Sequence, residues 1–168
     1  RFTVPEGLTL DEIAEKWQQD GYGSSADFRS AAQAAVEKIR DMDARAESLE
    51  GYLFPETYSF PSNTTARQVV DSMVAGFRKS IERLKMSLPG ADWNRPLRET
   101  VILASIVESE AAQPDERAIV ASVYTNRLKR KILLQCDPTT IYALKRAGEY
   151  KGVLRIADLQ FDSPYNTY

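Results

Sequence analysis

Residues 101–112, reading VILASIVESEAA, constrain the fold more than any other stretch of this sequence. At about 100° per residue, their apolar side chains fall on every side of a helix and leave no polar face to meet water. Such a helix predicts burial from all directions, so a core has to be built around it. Two carboxylates nevertheless lie near its end, Glu108 and Glu110. Their side chains point roughly 160° apart and cannot form one paired-carboxylate site. A carboxyl group on a buried helix loses solvation, which favours its protonated form and suits it to act as a general acid. Glu108 shares a stripe with Val101, Ala104, Ser105 and Ala112, mostly small or polar, where another group can approach closely. Glu110 lies with Leu103 and Ile106. On these residues alone a structural glutamate paired with Arg117 or Arg127 is the stronger expectation, and the choice between Glu108 and Glu110 stays open at this point.

The rest of the chain reads as more helices with a few extended pieces. Thr9 and Glu12 form a capping box ahead of a short helix whose Ile13 and Trp17 share one face, and Gly21 and Gly23 stop it. A second helix is expected from about Ser25, with Phe28, Ala32, Ala35, Val36 and Ile39 as its apolar stripe. Residues 50–63, EGYLFPETYSFPSN, are rich in aromatics and proline and predict extended chain and turns. Thr65 and Gln68 make a second capping box before a helix that presents Val69, Met73, Phe77, Ile81 and Leu84. Beyond Pro114 another helix is expected to about Arg130, with Ile119, Val120, Val123, Tyr124 and Leu128 inward. The stretch from Ile132 predicts a short strand leading into a helix that Asp137 caps and Pro138 begins. The fold class is therefore α+β, with helices outnumbering strands.

Composition narrows the chemistry. The 168 residues contain no histidine, which excludes imidazole bases, histidine triads and the two-histidine zinc helix. One cysteine, Cys136, excludes an internal disulfide and a multi-cysteine zinc site. The acid/base inventory is Asp, Glu, Lys and Tyr. A net charge of −2 provides no global field for nucleic acid. The basic cluster Arg127, Lys129, Arg130 and Lys131 reads as the solvated end of a helix, where cations favour the dipole. Two further stretches are candidates for sugar contact. Tyr52, Phe54, Tyr58 and Phe60, beside Glu50 and Glu56, either stack on pyranose faces or fill a core, and filling a core is the stronger expectation. SPYNTY, residues 163–168, offers hydroxyl, amide and phenol groups, which also serve ordinary turns.

In order and spacing, five motifs resemble the YceG-like family, the MltG-type endolytic murein transglycosylases. They are EGYLFPETY at Glu50–Tyr58, ASIVESEA at Ala104–Ala111, VASVYTNRL at Val120–Leu128, LQCDPTTIYAL at Leu134–Leu144 and SPYNTY at Ser163–Tyr168. The resemblance implies a helix-rich catalytic domain over residues 49–168, preceded by a small LysM-like module over residues 1–48. It implies cleavage of peptidoglycan glycan strands between N-acetylmuramic acid and N-acetylglucosamine, leaving 1,6-anhydromuramic ends. Glu108 falls on the family's catalytic glutamate, which decides against Glu110. Glu56, Gln135, Asp137, Thr139, Tyr142, Tyr165 and Asn166 become candidates for shaping the substrate cleft. No metal or organic cofactor is implied. Cell-wall synthases are the implied partners. The implied location is the cytoplasmic membrane, with a single-pass anchor and the catalytic region on the extracytoplasmic side. Ser109 stands where lysine is common in the family, and Cys136 where threonine is frequent. The resemblance also implies a membrane helix before this sequence and a further region after it, so Tyr165 and Asn166 are expected to be loosely held. The competing expectation is a non-catalytic glycan-binding module in which Glu108 is structural.

Overall fold

In a computed structural model describing residues 1–168, β1 (Phe2–Thr3) pairs antiparallel with β2 (Thr57–Tyr58). Between them lie α1 (Leu10–Gln19) and α2 (Ser25–Ala34). The first capping box forms as expected: the Glu12 amide donates to the Thr9 hydroxyl at 3.2 Å, and the Thr9 amide donates to the Glu12 carboxylate at 2.8 Å. The helix expected to run to Ile39 instead ends at Ala34 and continues as a 3-10 turn over Val36–Ile39. The three-residue period of that turn keeps Val36 and Ile39 on the same side as Ala32, so the whole stripe stays buried.

Trp17 centres this core, with Phe2 5.4 Å, Tyr22 5.1 Å and Phe28 5.8 Å away between ring centroids. Gly23 is required by close approach: a Cβ there would lie 2.8 Å from Trp17 Nε1. The aromatic stretch joins the same core. Tyr52 is buried, and Phe60 packs on Trp17 and Tyr22. Beside it α3 (Ala66–Ser87) starts at the Thr65–Gln68 box and buries Val69, Val70, Met73, Val74 and Phe77. Its last turns outrun the core, leaving Ile81 half-buried and Leu84 exposed.

A buried carboxylate ties these pieces together. Asp43 accepts hydrogen bonds from Tyr52 Oη at 2.7 Å, Arg98 Nε at 2.9 Å and the Arg45 amide at 3.1 Å. Burial alone pushes the Asp43 carboxyl up, but the donors from Tyr52, Arg45 and Arg98 outweigh it and hold the carboxyl below its usual range. A depressed folded-state pKa contributes stability above the unfolded value of about 3.9 and loses it as pH falls through the folded value. Thermal unfolding of the wild type should therefore lose stability below about pH 4, with Asp43→Asn losing less over the same interval. Parallel curves would contradict the assignment.

Arg98 belongs to α4 (Leu97–Glu110), and packing divides the chain within this helix into units Arg1–Val101 and Ile102–Tyr168. The second unit holds the end of α4, α5 (Arg117–Lys129), α6 (Asp137–Ala147) and 3-10 turns at Pro114–Glu116 and Ile156–Gln160. Its apolar cluster is small, Ile106, Tyr124 and Cys136 backed by Leu103, Val120 and Leu134, while α6 buries Thr140, Ala143 and Leu144. The burial expected all round α4 is therefore not found. Only Ile106 and Val107 are buried, and Ile102 is exposed, because so small a core covers one face only. In α5 only Tyr124 is buried, while Ile119, Val123 and Leu128 face outward. The strand expected from Ile132 is also absent. The chain adopts positive φ at Lys131 (56°) and Gln135 (48°), and β1–β2 is the only strand pair. The result is a helix-rich α+β fold with one two-stranded sheet.

Candidate functional site

In the second unit, Glu108 projects from the last turn of α4 with its side chain 36% exposed, and Arg117 Nη2 donates to its Oε1 at 3.2 Å. Arg117 opens α5 and is the partner that the structural reading named. The dry surroundings expected for Glu108 are absent, since solvent and a guanidinium both reach it. An exposed pair of this kind contributes about 0–1 kcal/mol, so the carboxylate is free to change partners. Glu110 is directed elsewhere, with its Oε2 3.9 Å from Cys136 Sγ. The Cys136 thiol is buried and held above its ordinary range, first by burial, with the nearby Glu110 and Asp137 charges adding to it. It is accordingly a poor nucleophile.

Most of the remaining candidates converge around the final residues of the chain. Gln135 donates its amide to the Thr167 carbonyl at 3.0 Å, which holds the positive-φ turn in place. The Thr167 hydroxyl accepts from the Cys136 amide at 3.0 Å and lies 2.9 Å from the Thr139 hydroxyl. Asn166 accepts from Thr140 at 2.9 Å and donates to the Leu159 and Phe161 carbonyls at 2.9 Å each. The Tyr168 hydroxyl donates to Asp137. That hydrogen bond, then burial and the surrounding negative charges, push the Tyr168 phenol up to about 12, so it stays a donor. SPYNTY is thus fastened at three consecutive residues, correcting the expectation of a loosely held tail. Asp137 is the first residue of α6 and not its cap, and it serves Tyr168 instead; Cys136 occupies the cap position without a side-chain bond.

Tyr142 and Tyr165 meet edge to face at 5.0 Å, and the Arg146 guanidinium lies 5.8 Å and 5.5 Å from their centroids. Glu56 belongs to the first unit, where its carbonyl accepts from Val4. The aromatics around it serve the core, with Tyr58 donating to the Phe54 carbonyl at 2.5 Å. Thr167 and Tyr168 carry the geometry but were not singled out from the sequence, whereas Arg117 was named there only as a structural partner. The first two stood in the quoted motif, and only contact with residues 135–139 reveals their work. No three His, Cys, Asp or Glu side chains converge as a metal cluster.

Thr167→Val keeps the shape and removes the hydroxyl, leaving the Cys136 amide without its acceptor. Denaturant unfolding should show a loss of about 1–3 kcal/mol. Unchanged stability would show that the tail does not hold the turn.

Comparison with known proteins comes from three directions. A family model described as the YceG-like family matches residues 1–168. A Streptococcus pneumoniae protein named endolytic murein transglycosylase is 31% identical over 189 aligned positions, covering 99% of this chain and 34% of its own length. A Bacillus subtilis protein of the same name is 39% identical over 121 positions, covering 71% of this chain and 32% of its own. A Listeria monocytogenes crystal structure, titled as a putative yceG-like protein, superposes with a TM-score of 0.82 at 32% identity. It covers 99% of this chain and 57% of that one. The chain spans about a third of the length of the curated relatives it matches.

Proposed function

Because the chain belongs to the YceG-like family, we propose that it is the glycan-cleaving part of an endolytic murein transglycosylase, with Glu108 as its single acid/base. The observation that carries this reading is that Glu108 is reached by solvent with no second carboxylate turned toward it, Glu110 facing Cys136 instead. A hydrolytic glycosidase needs two carboxyl groups flanking the bond. A lytic transglycosylase needs one. Protonated Glu108 gives its proton to the departing glycosidic oxygen. The resulting carboxylate then takes the proton of the muramic C6 hydroxyl as that oxygen attacks C1. The attack is intramolecular, so it gains from effective molarity and uses no water. Arg117 steadies the carboxylate between turnovers and yields to the incoming sugar.

The other candidates divide by what their polar atoms already do. Asn166 and Thr139 make their side-chain hydrogen bonds to Thr140, Leu159, Phe161 and Thr167, so they shape the cleft by holding residues 166–168 in place. Gln135, Asp137 and Tyr165 are exposed and contact the glycan. Tyr142 supports Tyr165. Glu56 is retained as a cleft residue on the family resemblance alone. The division into a LysM-like lead-in, residues 1–48, and a transglycosylase region, 49–168, is part of the same proposal. A two-helix unit closed by one antiparallel strand pair supports a lead-in of this kind, although its closing strand, Thr57–Tyr58, falls on the far side of residue 48. No helix here is long and apolar enough to cross a membrane. We place the whole protein at the cytoplasmic membrane, acting on the wall side, with wall synthases as partners.

The Glu108–Arg117 pair favours one other reading, a glycan-binding module in which Glu108 is structural. Mass spectrometry of glycan strands treated with the longer protein separates the two. Anhydromuramic ends are expected, reducing ends would indicate a hydrolase, and uncut strands would favour the binding module.

A further inference from the structure

Arg127, in the last turn of α5, is not solvated as the basic cluster around it predicts but is turned onto the chain that follows. Its Nη1 donates to the Leu133 carbonyl at 2.8 Å, and the Leu134 carbonyl and Gln135 Oε1 share the same nitrogen at 3.3 Å each. We propose, on the basis of the transglycosylase reading, that Gln135 donates its side-chain amide to an acetamido carbonyl of the glycan, and that Arg127 positions it to do so.

A carboxamide accepts at its oxygen and donates at its nitrogen. A guanidinium only donates, so the oxygen of Gln135 is the atom that must face Arg127. Rotating the group by half a turn would set two N–H donors against a cation. The nitrogen is therefore left on the other arm of an exposed side chain. The backbone beneath it is held as firmly. Gln135 has a φ of 48°, a left-handed conformation that a residue with a Cβ rarely takes. Its amide donates to the Thr167 carbonyl at 3.0 Å, and the next amide, of Cys136, donates to the Thr167 hydroxyl at 3.0 Å. Arg127 thus fixes the carbonyls before Gln135, and Thr167 fixes the amides at and after it. Such conformations persist only where the surroundings impose them, and they cluster at ligand clamps. With its oxygen engaged, Gln135 offers only donors to a ligand. Sugar hydroxyls both donate and accept, whereas an acetamido carbonyl only accepts, which makes it the complement of a donor-only group. Lysine at position 127 would keep the charge but exchange a planar, oriented group for a flexible ammonium.

Release of anhydromuramic ends by the longer protein tests it, on strands freed of stem peptides and either fully acetylated or N-deacetylated. Gln135→Glu keeps the size of the side chain and the bond to Arg127 but has no N–H to give. It should lower kcat/KM on acetylated strands about 5–10-fold, mainly through KM, the loss expected for one neutral hydrogen bond. On deacetylated strands an amine replaces the acceptor, and the same variant should match or exceed the wild type. Arg127→Lys should weaken the preference of the wild type for acetylated strands, whereas a purely structural role would lower both rates by one factor. Gln135→Glu, at an exposed position, keeps the test decisive if Arg127→Lys does not fold. Equal losses by Gln135→Glu on the two substrates, or none on either, would overturn the proposal. So would an unchanged acetyl preference in Arg127→Lys. A loss confined to strands that keep their stem peptides would assign the contact to a peptide carbonyl, with the same consequence. These outcomes presuppose anhydromuramic ends from the wild type; their absence would instead sink the transglycosylase reading, and this proposal with it.

Discussion

Trp17→Ala should destabilise the first unit by about 3–5 kcal/mol, enough to unfold a marginal domain at ordinary temperatures. The indole is 1% exposed and touches Phe2, Tyr22, Phe28 and Phe60, so truncation leaves a cavity that four rings cannot all collapse into. The strand pair depends on the same ring, because Phe2 lies on β1 and packs edge-on against it. One feature works against the tryptophan: its Nε1 is buried without a hydrogen-bond partner, a cost of about 1–3 kcal/mol. Trp17→Phe removes that unpaired donor along with part of the ring, so its net effect should stay within about 1.5 kcal/mol. Denaturant unfolding followed by Trp-independent circular dichroism checks both. Equal, small losses for Ala and Phe would show that Trp17 is not the centre of this core.

What could be read from the sequence follows from what is local. The boxes at Thr9–Glu12 and Thr65–Gln68 each involve four consecutive residues and formed as expected. The stripe Val69, Met73, Phe77 was legible because α3 packs one face on a large core. Helices α4 and α5 misled because apolar residues all round a helix specify that burial is wanted, not that a core exists to supply it. In the second unit the apolar cluster they share is Ile106, Tyr124 and Cys136 with three neighbours, and Ile102, Ile119 and Val123 stay outside it. The Ile132 stretch has strand-like composition but no partner strand, and its turns occur at Lys131 and Gln135, neither a residue type that announces positive φ. For the candidate site, motif order singled out two segments, around 135–139 and 166–168, that the structure brings into contact. The fastening of Gln135, Cys136 and Thr139 by Thr167 joins positions about thirty residues apart, and no local pattern encodes it.

Glu108→Gln should reduce strand cleavage at least about 10²-fold while the fold is kept. The amide has nearly the same volume and can still accept from Arg117, but it can neither give up nor take a proton. The side chain is one-third exposed and its ion pair is weak, so unfolding is not the expected consequence. Glu110 is the informative control. It lies two residues on, is also exposed, and faces Cys136 instead of Arg117. Neutralising it removes a charge near Tyr168 and the Cys136 thiol but no proton donor in the proposed reaction. A single assay on the longer protein compares the three forms side by side: the rate at which anhydromuramic ends appear in purified glycan strands. If Glu108 is the acid/base, the Glu108→Gln rate falls about 100-fold or more and the Glu110→Gln rate stays within about tenfold of wild type. Normal release by Glu108→Gln, or failure of Glu110→Gln alone, would contradict the account.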